Sequence, residues 1–164
     1  MKILVTGATS GLGRNAVQYL LQSGESVVAT GRNCEVGRSL TNAGAQFVAL
    51  DLTEASEDDC ARLMDGCDAV WHCAAKSSPW GDKTAFWLAN VKVTHTLAQA
   101  AGRLNIPRFI HISTPAVYFD FQHHNDLPET YLARAFSSHY ASSKYAAEQV
   151  IAGAVSRYSA TRFI

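Results

Sequence analysis

No apolar run in the sequence is long enough to cross a membrane. The longest stretch free of Asp, Glu, Lys and Arg is 12 residues, Ser39 to Leu50, against the roughly 18 to 20 that a bilayer span needs. Neither sign of charge is in excess, with 14 Lys plus Arg facing 14 Asp plus Glu. No basic block exists either, so nothing draws the chain to nucleic acid or to an anionic lipid surface. Cysteine is sparse and irregular: Cys34, Cys60, Cys67 and Cys73 form no C-x-x-C pair. That pattern supplies neither a zinc motif nor a disulfide framework and reads as reduced, mostly buried thiols. The single histidine pair, His123-His124, lies in a polar stretch and reads as solvated loop. The opening Met1 to Gly7 breaks at once into glycine and hydroxyl residues and lacks the core of a secretory signal. The expectation is a cytoplasmic protein with a small-molecule substrate, built as one domain over residues 1–164 without repeats or linkers.

What is present is alternation. Short apolar runs predict strands at Lys2 to Thr6, Ser26 to Thr30, Ala45 to Leu50, Asp68 to Cys73, Arg108 to Ser113 and from about Ala160. Being nearly continuous in apolar residues, they suit a parallel sheet covered on both faces. Helical patterns fall between them. Leu12 to Ser23 sets Leu12, Ala16, Tyr19 and Leu20 on one stripe and stops at Gly24. Ser56 is placed to cap a helix running through Leu63, with Glu57, Asp58 and Asp59 near its positive end. A long helix spans about Thr84 to Leu104, and another Tyr140 to Val155. Residues 119 to 139 have no periodicity and predict a surface loop with a short helical piece. The sum is an α/β fold, a doubly wound parallel sheet in order 3-2-1-4-5-6. Because the sixth strand has no successor, the chain reads as incomplete at its C-terminus.

Strand one runs directly into Thr6-Gly7-Ala8-Thr9-Ser10-Gly11-Leu12-Gly13 and then a helix. Backbone N–H groups at that helix start face the strand's carboxyl end, a site suited to a pyrophosphate. Gly7 permits the tight turn, Gly11 removes a Cβ from the path of a phosphate, and Gly13 lets helix and strand approach. The G-x-x-x-G-x-G spacing differs from the usual dinucleotide fingerprint, but the strand-turn-helix context is right. Past strand two, where an NAD-selective site places a carboxylate for the ribose, the chain has Gly31-Arg32. A planar cation without that carboxylate favours a 2′-phosphate and hence NADP, with NAD as the alternative. Asp51-Leu52, just past strand three, is placed at the adenine edge, although Asp51 can equally cap the following loop.

Tyr140 and Lys144 stand four residues apart on one helix face, where the ammonium sits beside the phenol and favours its ionised form. Together with Thr6 to Gly13, Asp51-Leu52-Thr53, His72-Cys73-Ala74-Ala75, Asn90-Val91 and His111 to Tyr118, this pair resembles the short-chain dehydrogenase/reductase superfamily. Within it, the chain is similar to the extended, sugar-epimerase and 3β-hydroxysteroid-dehydrogenase-like branch, and the match covers the whole chain. Ser77 to Gly81 and Val117-Tyr118-Phe119 look closer to bacterial sterol-dehydrogenase-like oxidoreductases than to sugar-nucleotide epimerases.

The resemblance implies that Tyr140 exchanges the substrate proton and that Lys144 also holds the nicotinamide ribose. Thr114, with Ser113 adjacent, would bind the same substrate oxygen. Ala74 and Ala75 would let the ribose lie close, and Asn90 would tie the long helix to the end of strand four. It implies an NAD(P)-dependent alcohol/ketone oxidoreductase, with a nucleotide-sugar epimerase or dehydratase, or a noncatalytic NAD(P)-binding regulatory module, as the other readings. A homodimer through the helices of Asn90 and Tyr140 is implied too. Two features depart from the branch: its usual first motif is T-G-x-x-G-x-x-G, and Val93 stands where N-V-x-G-T has glycine, a change expected to loosen the approach of the long helix. Members of the branch also continue into a C-terminal substrate lobe that this chain lacks.

Overall fold

The computed structural model describes residues 1–164. Six parallel strands, β1 (Lys2–Thr6), β2 (Ser26–Gly31), β3 (Gln46–Ala49), β4 (Ala69–His72), β5 (Arg108–His111) and β6 (Arg162–Phe163), form one sheet in the order β3-β2-β1-β4-β5-β6. The expected doubly wound topology is therefore the observed one. The two-residue period of the strands sends alternate side chains to opposite faces of this sheet. Ile3, Val5, Val27, Ala29 and Ala69 point to one face, where Ala16, Val17, Leu20 and Leu40 of α1 (Gly11–Gln22) and α2 (Cys34–Asn42) cover them. Leu4, Val28, Val70, Phe109 and Phe163 point to the other face, under α3 (Glu57–Leu63), α5 (Val93–Arg103) and α6 (His139–Arg157). Each strand is apolar on both sides because each side has its own helix layer.

α2 has no counterpart in the hydrophobic pattern of the sequence. Its nine residues hold only Leu40 and Gly37 buried, too few to mark a stripe. It forms through its cap: the Asn33 side chain accepts from the Glu35 and Val36 N–H groups, each at 3.0 Å. The stripe of α1 is also shifted. Leu12 and Tyr19 are exposed, and the buried face is Gly13, Ala16, Val17 and Leu20, because the sheet lies along the side that carries the close-packing glycine. α3 matches expectation to the residue: Ser56 Oγ accepts from the Asp59 N–H at 3.1 Å while the Asp59 carboxylate accepts from the Ser56 N–H at 2.9 Å, a reciprocal capping box.

The long helix is three pieces: α4 (Lys83–Phe86), a π-helical stretch Trp87–Lys92, and α5. At the end of the π stretch the Thr94 hydroxyl donates to the Asn90 carbonyl at 2.7 Å. Val93 is 2% exposed in the core at the end of that stretch. Between β5 and α6, the only helical turn is 3₁₀, Pro115–Tyr118. It precedes the irregular segment 119–138, which holds no helical piece of its own. Asp120 organises that segment instead, accepting from the Tyr131 hydroxyl at 2.5 Å and contacting His124 at 2.9 Å. His123 and His124 are exposed, as a solvated loop requires, and His124 also joins this local clasp. No helix is long and apolar enough to cross a membrane, and no group of three or more His, Cys, Asp or Glu is placed to hold a metal ion.

Candidate functional site

The site lies along the carboxyl ends of β1, β4 and β5, where the column of residues facing α5 and α6 changes from apolar to polar. Leu4 is followed on the same face by Thr6, Val70 by His72, and Phe109 by His111. Register sets Thr6 beside His72 and His72 beside His111. His72 is fully buried, so both ring nitrogens need partners. Nδ1 lies 2.8 Å from Thr6 Oγ1 and Nε2 lies 2.9 Å from Thr94 Oγ1. The Thr94 hydroxyl proton is already committed to the Asn90 carbonyl, so Thr94 must accept from His72 Nε2–H. Nδ1 is then bare and accepts the Thr6 proton, while Thr6 Oγ1 accepts from the Ala74 N–H at 3.1 Å. Burial holds the His72 pKa well below its ordinary value, with His111 and Lys144 adding to the effect.

Asn90 continues the network. Its side chain accepts from the Lys76 N–H at 2.7 Å and donates to the Lys76 carbonyl at 3.1 Å and to Ser143 Oγ at 2.9 Å. Ser143 in turn donates to the Tyr140 carbonyl at 2.8 Å. An unbroken chain of hydrogen bonds therefore links the exit of β1 to the first turn of α6. Only Asn90 in this chain was foreseen; its other members show in sequence as ordinary Thr, Ser and His.

α6 begins at His139 because Ser138 caps it, accepting from the Ala141 N–H at 3.1 Å. Tyr140 is half-buried and its ring packs on Phe86, centroids 6.5 Å apart. One turn later Lys144 is 2% exposed, and its ammonium donates to the Ile112 carbonyl at 2.5 Å and to His111 Nε2 at 3.1 Å. Burial lowers its pKa to about 8, opposed by the charge of Glu148. Those bonds pin the Tyr140–Lys144 face to the exit of β5, two residues before Thr114. Thr114 Oγ1 accepts from the Ala116 N–H at 3.3 Å, capping the 3₁₀ turn and leaving its hydroxyl proton free to donate. The adjacent Ser113 is committed elsewhere, donating to Glu148, so of the two hydroxyls Thr114 is the available one.

An open α/β sheet leaves a crevice beyond the carboxyl ends of the strands where the strand order reverses, here at β1 and β4, and the glycine turn stands at that end of β1. A Cβ on Gly7 (φ +65°) would come 2.8 Å from the Ala74 backbone, and one on Gly13 would strike the Gly7 carbonyl. Gly11, also at positive φ, borders open space. The N–H groups of Gly11, Leu12 and Gly13 have no partner within the chain, and the exposed cap residue Ser10 makes no side-chain capping bond. Open space in front of unpaired donors fits a pyrophosphate. Thr9 packs on Gly31, where a Cβ would lie 2.7 Å from its hydroxyl.

At the far end, Arg32 is largely exposed and lies 3.6 Å from Asp51. Asp51 accepts from the Thr53 N–H and hydroxyl at 3.0 and 2.8 Å, the loop-capping role, and these bonds hold its carboxyl below the usual range. The Leu52 side chain is in the core, but its N–H has no partner in the chain. Ala74 is half-buried and Ala75 exposed.

The sequence of residues 3–164 matches the model of the NAD dependent epimerase/dehydratase family. The chain belongs to that family. It is 50% identical over 151 residues to the Escherichia coli K12 protein YbjS, covering 92% of this chain and 45% of YbjS. It is 34% identical over 150 residues to a 2-alkyl-3-oxoalkanoate reductase of Shewanella oneidensis, covering 90% of this chain and 37% of the reductase. Among solved structures, UDP-glucuronic acid 4-epimerase from Bacillus cereus, in complex with UDP-glucuronic acid and NAD, superposes with a TM-score of 0.87 at 27% identity. That superposition covers all of this chain and 55% of the epimerase. The chain thus spans about half the length of the proteins it matches.

Outside the crevice, a cavity of about 660 Å³ lies beside the first turn of α6, walled by Trp80, Phe86, Phe136 and His139. Tyr140 is not among its walls. The cysteines divide: Cys60 and Cys67 are buried, Cys73 is half-buried and Cys34 is exposed. Burial pushes the Cys60 and Cys73 thiols up to about 11, which leaves them without thiolate character near neutral pH.

Proposed function

We propose that the chain carries the dinucleotide-binding and proton-transfer half of an NADP-dependent oxidoreductase acting on a secondary alcohol or ketone, of hydrophobic, sterol-like character. The observation that supports this most directly is the pinning of the Tyr140–Lys144 face of α6 to the β5 exit beside Thr114, across the crevice from unpaired donors of the glycine turn. Gly7, Thr9, Ser10, Gly11, Leu12 and Gly13 would hold the pyrophosphate, Ala74 and Ala75 would border the ribose, and Asp51 and Leu52 the adenine. Arg32 would meet a 2′-phosphate. Bound NADP would supply the hydride chemistry. The chain's own groups orient the substrate oxygen through the Thr114 hydroxyl and exchange its proton through the Tyr140 phenol. Lys144 keeps a positive charge beside the charge that develops there. The named activity of the Shewanella relative favours a ketone.

A nucleotide-sugar epimerase using the same trio with NAD is the second reading, favoured by the superposition on the Bacillus enzyme. A purely regulatory module is disfavoured by the presence of both Tyr140 and Lys144. The outer faces of α5 and α6, with Trp87, Leu88 and Val155 exposed beside them, would pair two copies; light scattering at the monomer mass would refute that pairing.

Turnover assays on the longest expressed protein containing these 164 residues, with NADPH and a hydrophobic ketone against UDP-sugars, separate the two enzymatic readings. Tyr140→Phe is expected to lower turnover by about 10²- to 10⁴-fold while NADPH binding persists. Activity undiminished in that variant would refute both.

A further inference from the structure

Lys144 is buried without a carboxylate partner. Glu148, the acidic group that acts on its charge from one turn away, is occupied by the Ser113 hydroxyl. An ammonium has three N–H donors. One goes to the Ile112 carbonyl and one to His111 Nε2, which leaves one without a protein acceptor.

We propose that His111 is a positioning residue for Lys144: its neutral imidazole takes one ammonium N–H through Nε2 and, with the Ile112 carbonyl, fixes the direction of the third toward the crevice beside Tyr140. The inference rests on the oxidoreductase reading for its functional meaning, but the contact stands by itself. For Nε2 to accept, the ring proton must sit on Nδ1, and Nδ1 is buried with no protein partner. An orphaned donor is a cost, incurred here on the side of the ring turned away from Lys144. The environment keeps the ring neutral, since burial and the Lys144 charge lower the His111 pKa to about 3.

The titratable groups that act on the pair are His72 on β4, at 5.3 Å ring to ring, Cys73 at its exit, and Glu148 on α6; Tyr140 lies one turn before Lys144 on the same helix. His72 is committed to Thr6 and Thr94, the Cys73 thiol is protonated, and Glu148 is bonded to Ser113. His111 is therefore the side-chain acceptor that Lys144 has.

The test uses the 164-residue chain with ¹⁵N-labelled lysine and histidine. In the unsubstituted protein the Lys144 ammonium, assigned through Lys144→Met, is expected to titrate near 8, and His111 to carry its proton on Nδ1. His111→Leu removes the acceptor and is expected to move the Lys144 midpoint down to about 7, while His111→Gln, which keeps an acceptor, restores it. In turnover assays the alkaline limb of the pH profile should move with the midpoint, which a packing defect alone would not cause. A Lys144 midpoint unchanged in a folded His111→Leu variant overturns the proposal. So does an Nε2-protonated His111 in the unsubstituted protein, which is readable even if the variant fails to fold. Both outcomes are independent of catalysis, whereas failure of the enzymatic reading would show as activity surviving Tyr140→Phe.

Discussion

Acidification from pH 7 to pH 5 should destabilise this protein through two adjacent histidines. His72 and His111 are held neutral in the folded state, with pKa values depressed by burial, His111 to about 3. In the unfolded chain each returns to about 6.5. A group whose folded pKa is depressed favours folding above its unfolded pKa, and that contribution is lost as pH falls, because only the unfolded state takes up the proton. Integrating the linkage relation between pH 7 and pH 5 gives about 1.9 kcal/mol for His111, and His72 adds a loss in the same direction. That is a large share of the 5–15 kcal/mol typical of a domain.

Asp51, Asp59 and Asp120, held low by their hydrogen bonds, stay ionised throughout this window, and Lys144, with its value near 8, is mostly protonated across it. Urea denaturation of the 164-residue chain at pH 7, 6 and 5 measures the loss, and His111→Gln should reduce it by about 1.9 kcal/mol. A fall below about 1 kcal/mol in the unsubstituted protein, or an undiminished fall in His111→Gln, would refute the linkage argument.

Other substitutions probe the cradle and the scaffold separately. Gly13→Ala drives a methyl into the Gly7 carbonyl and should weaken NADPH binding about tenfold or more by calorimetry, with the far-ultraviolet dichroism retained. Arg32→Ala should reduce NADPH affinity about 10- to 100-fold while sparing NADH, because a charge-assisted contact to the 2′-phosphate is worth about 1.5–3 kcal/mol; equal losses for both cofactors would remove Arg32 from that role. Ser56→Ala breaks the capping box of α3 and should lower the urea-unfolding free energy by about 1 kcal/mol without touching cofactor affinity.

The strands, their order and the glycine turn were legible in the sequence because each has a local cause. A strand covered on two faces must be apolar at every position, and Gly7 and Gly13 stand where backbones approach too closely for a side chain. The Ser56 cap was equally local. α2 was hidden because its nine residues bury only Leu40 and Gly37, and its real signal, Asn33 bonding two residues and three residues ahead, is a cap without a stripe. Leu12 and Tyr19 deceived for the opposite reason: apolar residues at helical spacing lie on the solvent side of α1, and periodicity cannot say which side the sheet will take.

By itself, then, the sequence determined the alternation of elements, the turn that can cradle a pyrophosphate and the Tyr140–Lys144 face, all properties of neighbouring residues. Tertiary structure alone decided how those parts meet. Thr6 and His72 are 66 residues apart, and Lys144 and His111 are 33 apart. Only the pairing of β1, β4 and β5 and the docking of α6 bring them within hydrogen-bonding distance. Burial then makes those partners matter, since a polar group withdrawn from water must find its hydrogen bonds within the fold.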